Sequence, residues 1–150
     1  MKARALGRIG AGLAAAWAGA MAAIGGIAAP ALFQLLPRAD AGRVAGRLFA
    51  VEATVGVCVG AILVLVALQL GRLRAEAGEG TRFGAELMLA LAAVASLVLG
   101  HYALLPLLEA ARAGQGSFSF GVLHALSSGF FALRVVFVVA LAWRLAAPPG

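Results

Sequence analysis

Charge is scarce in this sequence, and cysteine is almost absent. Only 12% of the 150 residues are Asp, Glu, Lys or Arg, whereas 63% are hydrophobic. A soluble globular domain carries about 25% charged residues, so this composition excludes that class and indicates a membrane protein. The one cysteine, Cys58, lies within an apolar run and excludes an internal disulfide framework.

Catalytic signatures are missing as well. The sequence contains no Gly-x-Ser-x-Gly turn, no Gly-x-x-x-x-Gly-Lys phosphate loop and no Cys-x-x-Cys pair. Ser127 and Ser128 follow His124 closely, but serine near histidine on a helix is common, and no strand framework accompanies them. We therefore predict no catalytic residues, and an enzyme is the weaker hypothesis, although it is not excluded.

The charge that is present is mainly positive, with 12 Lys and Arg against 6 Asp and Glu. Most basic residues lie at the ends of apolar runs and not on a polar surface, so we predict no nucleic-acid partner and interpret them as membrane anchors. Because basic residues favour the cytoplasmic side, their distribution predicts that both termini face the cytoplasm. One side carries Lys2, Arg4, Arg8, Arg72, Arg74, Arg82 and Arg144, and the other carries Arg38, Arg43, Arg47 and Arg112.

Four apolar runs organise the chain, at about residues 9–30, 45–70, 87–108 and 118–143. At about 1.5 Å per residue, about 20 residues cross a hydrocarbon core about 30 Å thick. Strands are a poor alternative because the runs lack polar alternation and an open sheet cannot satisfy its edge groups in lipid. We predict an all-α membrane protein, a bundle of four transmembrane helices that forms one integral membrane domain over residues 1–150.

The start of the first run also resembles a secretory signal, since basic residues precede an apolar stretch that contains Ala18-Gly19-Ala20. The run continues to Pro30, which is longer than the apolar core of a signal peptide. We therefore expect it to be retained as the first helix, with bends at Pro30 and Pro106.

Small residues recur at helical spacing in three of the runs. In lipid, helices associate through close van der Waals contact, which small residues permit. We expect these positions to hold the bundle together, and a dimer face is the alternative. They are Gly12, Ala16, Gly19, Ala23 and Gly26 in the first run, Gly56 and Gly60 in the second, and Ser96 and Gly100 in the third.

Several polar side chains lie inside the predicted helices, where each needs a partner or a purpose. Helical rise places Glu52, His101 and His124 in the outer half of the bundle, near Tyr102, Ser127 and Ser128. One interpretation is a hydrogen-bond network that joins the second, third and fourth helices without a cofactor. The other is a site for a small solute or proton, or for a transition metal or haem held by His101 and His124.

Arg134 stands apart from this group. It lies about 20 Å from the outer start of the fourth helix, whereas Glu52 lies only about 6 Å deep if the second helix enters the membrane near Leu48. We therefore expect Arg134 to be too deep to pair with Glu52. Snorkelling toward the cytoplasmic face, pairing with Glu86, or a functional site would each account for it.

Three stretches carry a family resemblance: residues 29–36 (APALFQLL), 41–49 (AGRVAGRLF) and 120–128 (FGVLHALSS). Together with Tyr102 and Pro106, they resemble the bacterial DUF4149 family, which is related to the eukaryotic transmembrane protein 205 group. The chain departs from that pattern at Phe131, where family members often have asparagine. The resemblance implies a four-helix domain of the bacterial inner membrane and leaves its biochemical role open.

Two functional hypotheses follow. The first is a small inner-membrane protein with a structural or accessory role, which contacts lipid and meets other membrane proteins, or copies of itself, within the bilayer. The alternative is a binder or transporter of a small solute, proton, metal or haem through Glu52, His101 and His124. The first hypothesis requires no cofactor.

Overall fold

A computed structural model describes residues 2–147 of the chain. Within that range four helical spans are long and apolar enough to cross a membrane: Lys2–Leu35, Arg38–Glu76, Ala85–Arg112 and Phe120–Ala146, the first to fourth spans below. The described residues contain no strand. The predicted all-α, four-span membrane architecture is therefore confirmed, and the chain is a multi-pass membrane protein.

The bundle has two ends that differ in what they hold. The distal end contains the starts of the second and fourth spans, Arg38 and Phe120, with the connections that lead into them. The terminal end contains the start of the first span, the end of the fourth, and the connection over residues 77–84. At the terminal end Glu86 lies 3.1 Å from Arg74 and 3.4 Å from Arg144, and these ion pairs tie the last three spans together.

Local sequence determines where the spans begin and end. Ser119 Oγ accepts a hydrogen bond from the Val122 amide at 3.3 Å, which caps the start of the fourth span. A glycine with a left-handed backbone lies just after the end of the second span, Gly78 (φ 73°), and of the third, Gly114 (φ 72°). Glycine adopts this conformation without strain, and the next amide then bonds back to a carbonyl in the last helical turn.

The first and third spans each contain a π-helical segment, Ile24–Ala28 and Val98–Ala103. Each segment lies just before a proline, Pro30 or Pro106, that cannot donate to the carbonyl four residues earlier and would clash with it. A wider turn relieves that clash, and the Ala29 amide accordingly bonds to the carbonyl five residues back, at Ile24. The sequence predicts a bend at each of these prolines, and the structure has a wider, π-helical turn just before each one.

An apolar core fills the terminal half of the bundle. Its largest fully buried side chains include Leu63, Leu97, Val138 and Leu141. Large apolar side chains on the outside of the bundle, such as Leu65 and Val136, are more than half exposed, as expected for surfaces that face lipid. The core as a whole comprises Ala14, Trp17, Met21, Ala53, Leu63, Val66, Leu70, Ala90, Ala93, Leu97, Val138, Leu141 and Leu145.

The predicted packing face of the first span is wrong. A Cβ built on Gly12 or Gly19 would meet no other atom within 4 Å, so this face looks away from the other spans. Gly10, Trp17 and Met21 lie inside instead. The reason is the indole of Trp17, whose N–H bonds to a carboxylate within the bundle and turns that side of the helix inward.

Candidate functional site

A buried ion pair joins the second and fourth spans. Arg134 Nη2 donates to Glu52 Oε2 at 2.6 Å, and both side chains are less than 5% exposed. The expectation that Arg134 lies too deep to reach Glu52 is wrong, because the second span begins at Arg38 and not near residue 45. Each partner therefore lies 14 residues, or about 21 Å, from the distal start of its span, Arg38 or Phe120.

Aromatic side chains complete the surroundings of this pair. Trp17 Nε1 donates to Glu52 Oε1 at 3.0 Å. Both carboxylate oxygens therefore accept a hydrogen bond, Oε1 from the neutral indole and Oε2 from the charged guanidinium. The guanidinium carbon of Arg134 lies 5.0 Å from the centre of the Phe131 ring, a cation–π contact. A charge deep in a membrane is costly without such partners, and here three spans supply them.

Arg134 also fails to meet its other predicted partner. Glu86 lies at the terminal end, where it pairs with Arg74 and Arg144. Among the fully buried side-chain nitrogen and oxygen atoms of the described residues, only Arg134 Nε lacks a hydrogen-bond partner. The intramembrane arginine is therefore held by Glu52 and neither snorkels nor pairs with Glu86.

On the distal side of the ion pair, a cavity of about 1050 Å³ lies between the four spans. Its lining on the second span ends at Glu52, and the apolar core begins at the next residue, Ala53. On the fourth span the lining ends at Val135, and the core begins at Val138. The Glu52–Arg134 pair thus separates a filled half of the bundle from an open half. The volume is at the upper end of the range for ligand pockets.

The predicted polar residues come together around this cavity, with one exception. His101, His124, Ser127 and Ser128 line it, as do Glu52 and Arg134. Tyr102 is not part of the lining; it is 43% exposed, and its ring lies perpendicular to the His101 ring with 5.0 Å between ring centres. A ligand role for any of these residues stays a prediction.

Two of the polar residues have clear local partners. Ser127 Oγ donates to the Gly100 carbonyl at 2.6 Å, and this bond ties the fourth span to the π-helical segment of the third. His124 stacks on Phe120 with 5.6 Å between ring centres and 10° between ring planes. His101 and His124 therefore stand on facing spans with the cavity beside them.

The charge that lines the cavity is mostly positive. Four arginines, Arg38, Arg43, Arg112 and Arg134, face a single carboxylate, Glu52. The pairing with Glu52 neutralises Arg134, and Arg43 forms an ion pair with Asp40 on its own helix. Arg38 and Arg112 line the cavity at the distal end of the bundle, called the mouth below, and have no carboxylate within ion-pair distance among residues 2–147. The mouth therefore carries a net positive charge.

Sequence reasoning did not assign Trp17, Arg38 or Arg112 to the site. The two arginines looked like ordinary membrane anchors, because a helix end gives no indication of what lies between helices. Trp17 had a usable signal: it is one of two tryptophans in the chain and lies in a stretch of Ala and Gly, where a large ring with a polar N–H needs a specific partner.

The predicted small packing positions lie at close contacts between spans. A Cβ on Gly56 would come within 3.1 Å of the Trp17 ring, and one on Gly60 within 2.7 Å of Val94. A Cβ on Gly100 would overlap Phe130, and Ser96 is 6% exposed. Each glycine accepts a large side chain from a neighbouring span.

The metal hypothesis gains no geometric support from the described residues. Over residues 2–147, no group of three or more His, Cys, Asp or Glu side chains is placed to hold a metal ion. His101, His124 and Glu52 share a cavity without forming such a group. Metal or haem binding through the two histidines stays an untested alternative.

These features define a class: a multi-pass helical membrane protein with a buried ion pair at mid-depth and an open pocket on one side of it. Comparison with known families then matches residues 12–117, more than two thirds of the chain, to DUF4149, a domain of unknown function. The chain belongs to the DUF4149 family. The match ends before Phe120, so the resemblance at residues 120–128 stays a prediction. No curated protein and no solved structure gives a significant match.

Proposed function

We propose that this protein binds a small ligand inside the bilayer, in the cavity above the Glu52–Arg134 pair. The observation that carries the proposal is the contrast within one bundle: the terminal half is filled with side chains, and the distal half contains a partly open cavity of about 1050 Å³. A bundle that serves packing alone would fill both halves, because protein interiors are close-packed and voids cost stability.

The composition of the lining supports the same function. Most lining residues are apolar or glycine, and a few polar groups converge from the third and fourth spans, as is usual in ligand pockets. Among these polar groups, His101, His124 and Ser128 are free to contact a ligand, since the hydroxyl proton of Ser127 is bonded to Gly100. We propose no catalytic role for them.

We further propose that the protein resides in the bacterial inner membrane with both termini in the cytoplasm, so that the cavity opens away from the cytoplasm. Seven basic residues of the sequence lie toward the terminal end and four toward the distal end, and the side richer in basic residues is usually cytoplasmic. Reporter fusions at both termini test this orientation. Activity of a periplasmic reporter at either terminus would contradict it.

The experiment for ligand binding compares two glycine-to-leucine variants. Gly46 lines the cavity and has no atom within 4 Å of a Cβ position, so Gly46→Leu places a side chain in the open space without a clash. Gly12→Leu is the matched control, because Gly12 has equal room and faces away from the bundle. Small molecules are extracted from protein purified in mild detergent and identified by mass spectrometry.

We expect a species that copurifies with the wild type and with Gly12→Leu, and that is reduced severalfold or lost in Gly46→Leu. The same set of molecules at the same stoichiometry in all three proteins would contradict binding in the cavity. Comparable melting temperatures of the two variants show that a loss of ligand is not a loss of fold.

An accessory role in a larger membrane assembly is the second candidate function. It is favoured by the outward face of the first span, where Gly12, Ala16 and Gly19 are exposed and leave room for another helix to approach closely. Replacement of Gly12 and Gly19 by leucine would then release a partner subunit or break a self-association that the wild type shows in mild detergent. An unchanged native mass would contradict this role.

A further inference from the structure

We infer that the ligand of this cavity is an anionic amphiphile, with an acidic headgroup bound by Arg38 and Arg112 at the distal mouth and an apolar chain inside the bundle. The inference rests on the proposed binding function and names its substrate class. Three features carry it: the charge at the mouth, the order of polar and apolar groups with depth, and the room inside.

The positive charge of the two arginines at the mouth favours a negatively charged headgroup. Arg38 and Arg112 line the cavity, and no carboxylate of the described residues lies within ion-pair distance of either. Arg112 is held over the Phe120 ring, 5.1 Å from its centre, which fixes its guanidinium beside the opening. The one carboxylate of the lining, Glu52, is about 21 Å deeper and already accepts two hydrogen bonds. Phosphate or carboxylate oxygens are the groups that such free guanidinium donors bind best.

The order of groups with depth favours an amphiphile over a small hydrophilic anion. Below the arginines, His124 and Ser128 lie four and eight residues after Phe120, about 6 and 12 Å down the fourth span. These side chains can bond ester or hydroxyl groups close to a headgroup. Most of the remaining lining is apolar side chain or glycine, including Phe49 and Leu97, and His101 and Ser96 are polar groups within it. A small hydrophilic anion would gain no favourable contacts from this largely apolar surface.

The room inside suits one chain of lipid length. The distance from the level of Arg38 to that of Glu52 is about 21 Å, and a chain that spans half of a hydrocarbon core needs about 15 Å. The space exists because Gly42 and Gly46 of the second span face the cavity and nothing opposes them within 4 Å of a Cβ position. At the bottom, the mutual pairing of Glu52 and Arg134 presents no net charge to the end of the chain.

The test uses quenching of Trp17 fluorescence, because Trp17 bonds to Glu52 directly beneath the cavity floor. Replacement of the only other tryptophan, Trp143→Phe, removes a side chain that is 80% exposed and leaves Trp17 as the sole emitter. The protein is reconstituted in phosphatidylcholine nanodiscs and titrated with dibromostearate, whose bromines quench tryptophan at close range. Dibromostearyl alcohol is the neutral match, and brominated phosphatidylglycerol against brominated phosphatidylcholine forms the phospholipid arm.

We expect saturable quenching by an anionic probe that unlabelled stearate or phosphatidylglycerol reverses, and only the gradual quenching of membrane partitioning by its neutral match. Saturation by dibromostearate identifies a free fatty-acid-like ligand, and saturation only by phosphatidylglycerol identifies a phospholipid. Arg38→Gln with Arg112→Gln should raise the apparent dissociation constant about tenfold or more, since charge-assisted hydrogen bonds are lost. Arg4→Gln with Arg47→Gln, which removes two charges away from the lining, should change it less than about twofold.

Equal saturable quenching by the acid and the alcohol, or equal affinity in the Arg38/Arg112 variant, would overturn the anionic class while binding in the cavity stands. No saturable quenching by any probe would overturn the inference as well. The proposed function is then decided separately, by whether another molecule copurifies with the wild type and is lost in Gly46→Leu.

Discussion

The two halves of this bundle use the same kind of residue for opposite purposes. In the terminal half and at its border, glycines stand opposite large side chains, Gly56 against Trp17 and Gly60 against Val94, and the helices come into close contact. In the distal half, a Cβ built on Gly42 or Gly46 would meet no atom within 4 Å, and the space between the helices stays open. Small residues therefore tighten a membrane bundle only where a partner helix supplies bulk.

The largest expected effect on stability comes from removing one partner of the Glu52–Arg134 ion pair, which lies between the two halves. Arg134→Met leaves Glu52 buried without its cation, and we expect a loss of about 3–5 kcal/mol in unfolding free energy. The measurement is reversible unfolding in mixed detergent micelles, followed by Trp17 fluorescence. The double variant Glu52→Leu with Arg134→Met removes both charges and should recover most of that loss.

This double-mutant cycle also separates stability from binding. The cycle also needs Glu52→Leu alone: if the loss in the double variant equals the sum of the losses in Arg134→Met and Glu52→Leu, the two charges are not coupled. If they are coupled as we expect, the double variant should remain folded and keep the cavity, because every lining side chain other than these two is unchanged.

A second contrast compares leucine truncations in the two halves. Leu141 is fully buried in the terminal core, so Leu141→Ala leaves a void and should cost about 2–4 kcal/mol. Leu108 lines the cavity and is only half-buried, so Leu108→Ala enlarges existing space and should cost less than about 1 kcal/mol. The same unfolding assay measures both. Equal losses would show that the distal half is filled in the membrane.

The sequence was sufficient for the number of helices and for most of the residues around the cavity, because run length and intramembrane polar groups are local signals. It failed to pair Arg134 with Glu52 because the depth of Glu52 depends on where the second span starts, and the sequence did not show that the charged segment after Pro37, residues 38–44, is seven further residues of helix. It also chose the wrong face of the first span. Which face turns inward is decided by the partner of Trp17, and that partner lies 35 residues away.

A third contrast adds one methyl group at a glycine in each setting. Gly100→Ala would place a Cβ onto Phe130 of the fourth span, so the helices must shift, and we expect a loss of about 1–3 kcal/mol. Gly46→Ala meets no atom within 4 Å, so it should cost no stability and should gain up to about 1 kcal/mol from helix propensity. Helix propensity favours alanine in both cases and therefore cancels in the comparison. A tolerated Gly100→Ala would argue against close contact at the π-helical segment.

The smallest expected effects come from ion pairs at the two ends. Glu86 is buried and lies near two arginines on different spans, so Glu86→Gln should lower unfolding free energy by about 1 kcal/mol. Asp40 and Arg43 are exposed neighbours on one helix, and Asp40→Asn should change it by less than about 0.5 kcal/mol, with that change vanishing at high salt. Because Asp40→Asn frees Arg43 at the cavity mouth, it should instead strengthen binding of an anionic probe. If Asp40→Asn cost more stability than Glu86→Gln, the terminal end would not be the more firmly joined end of the bundle.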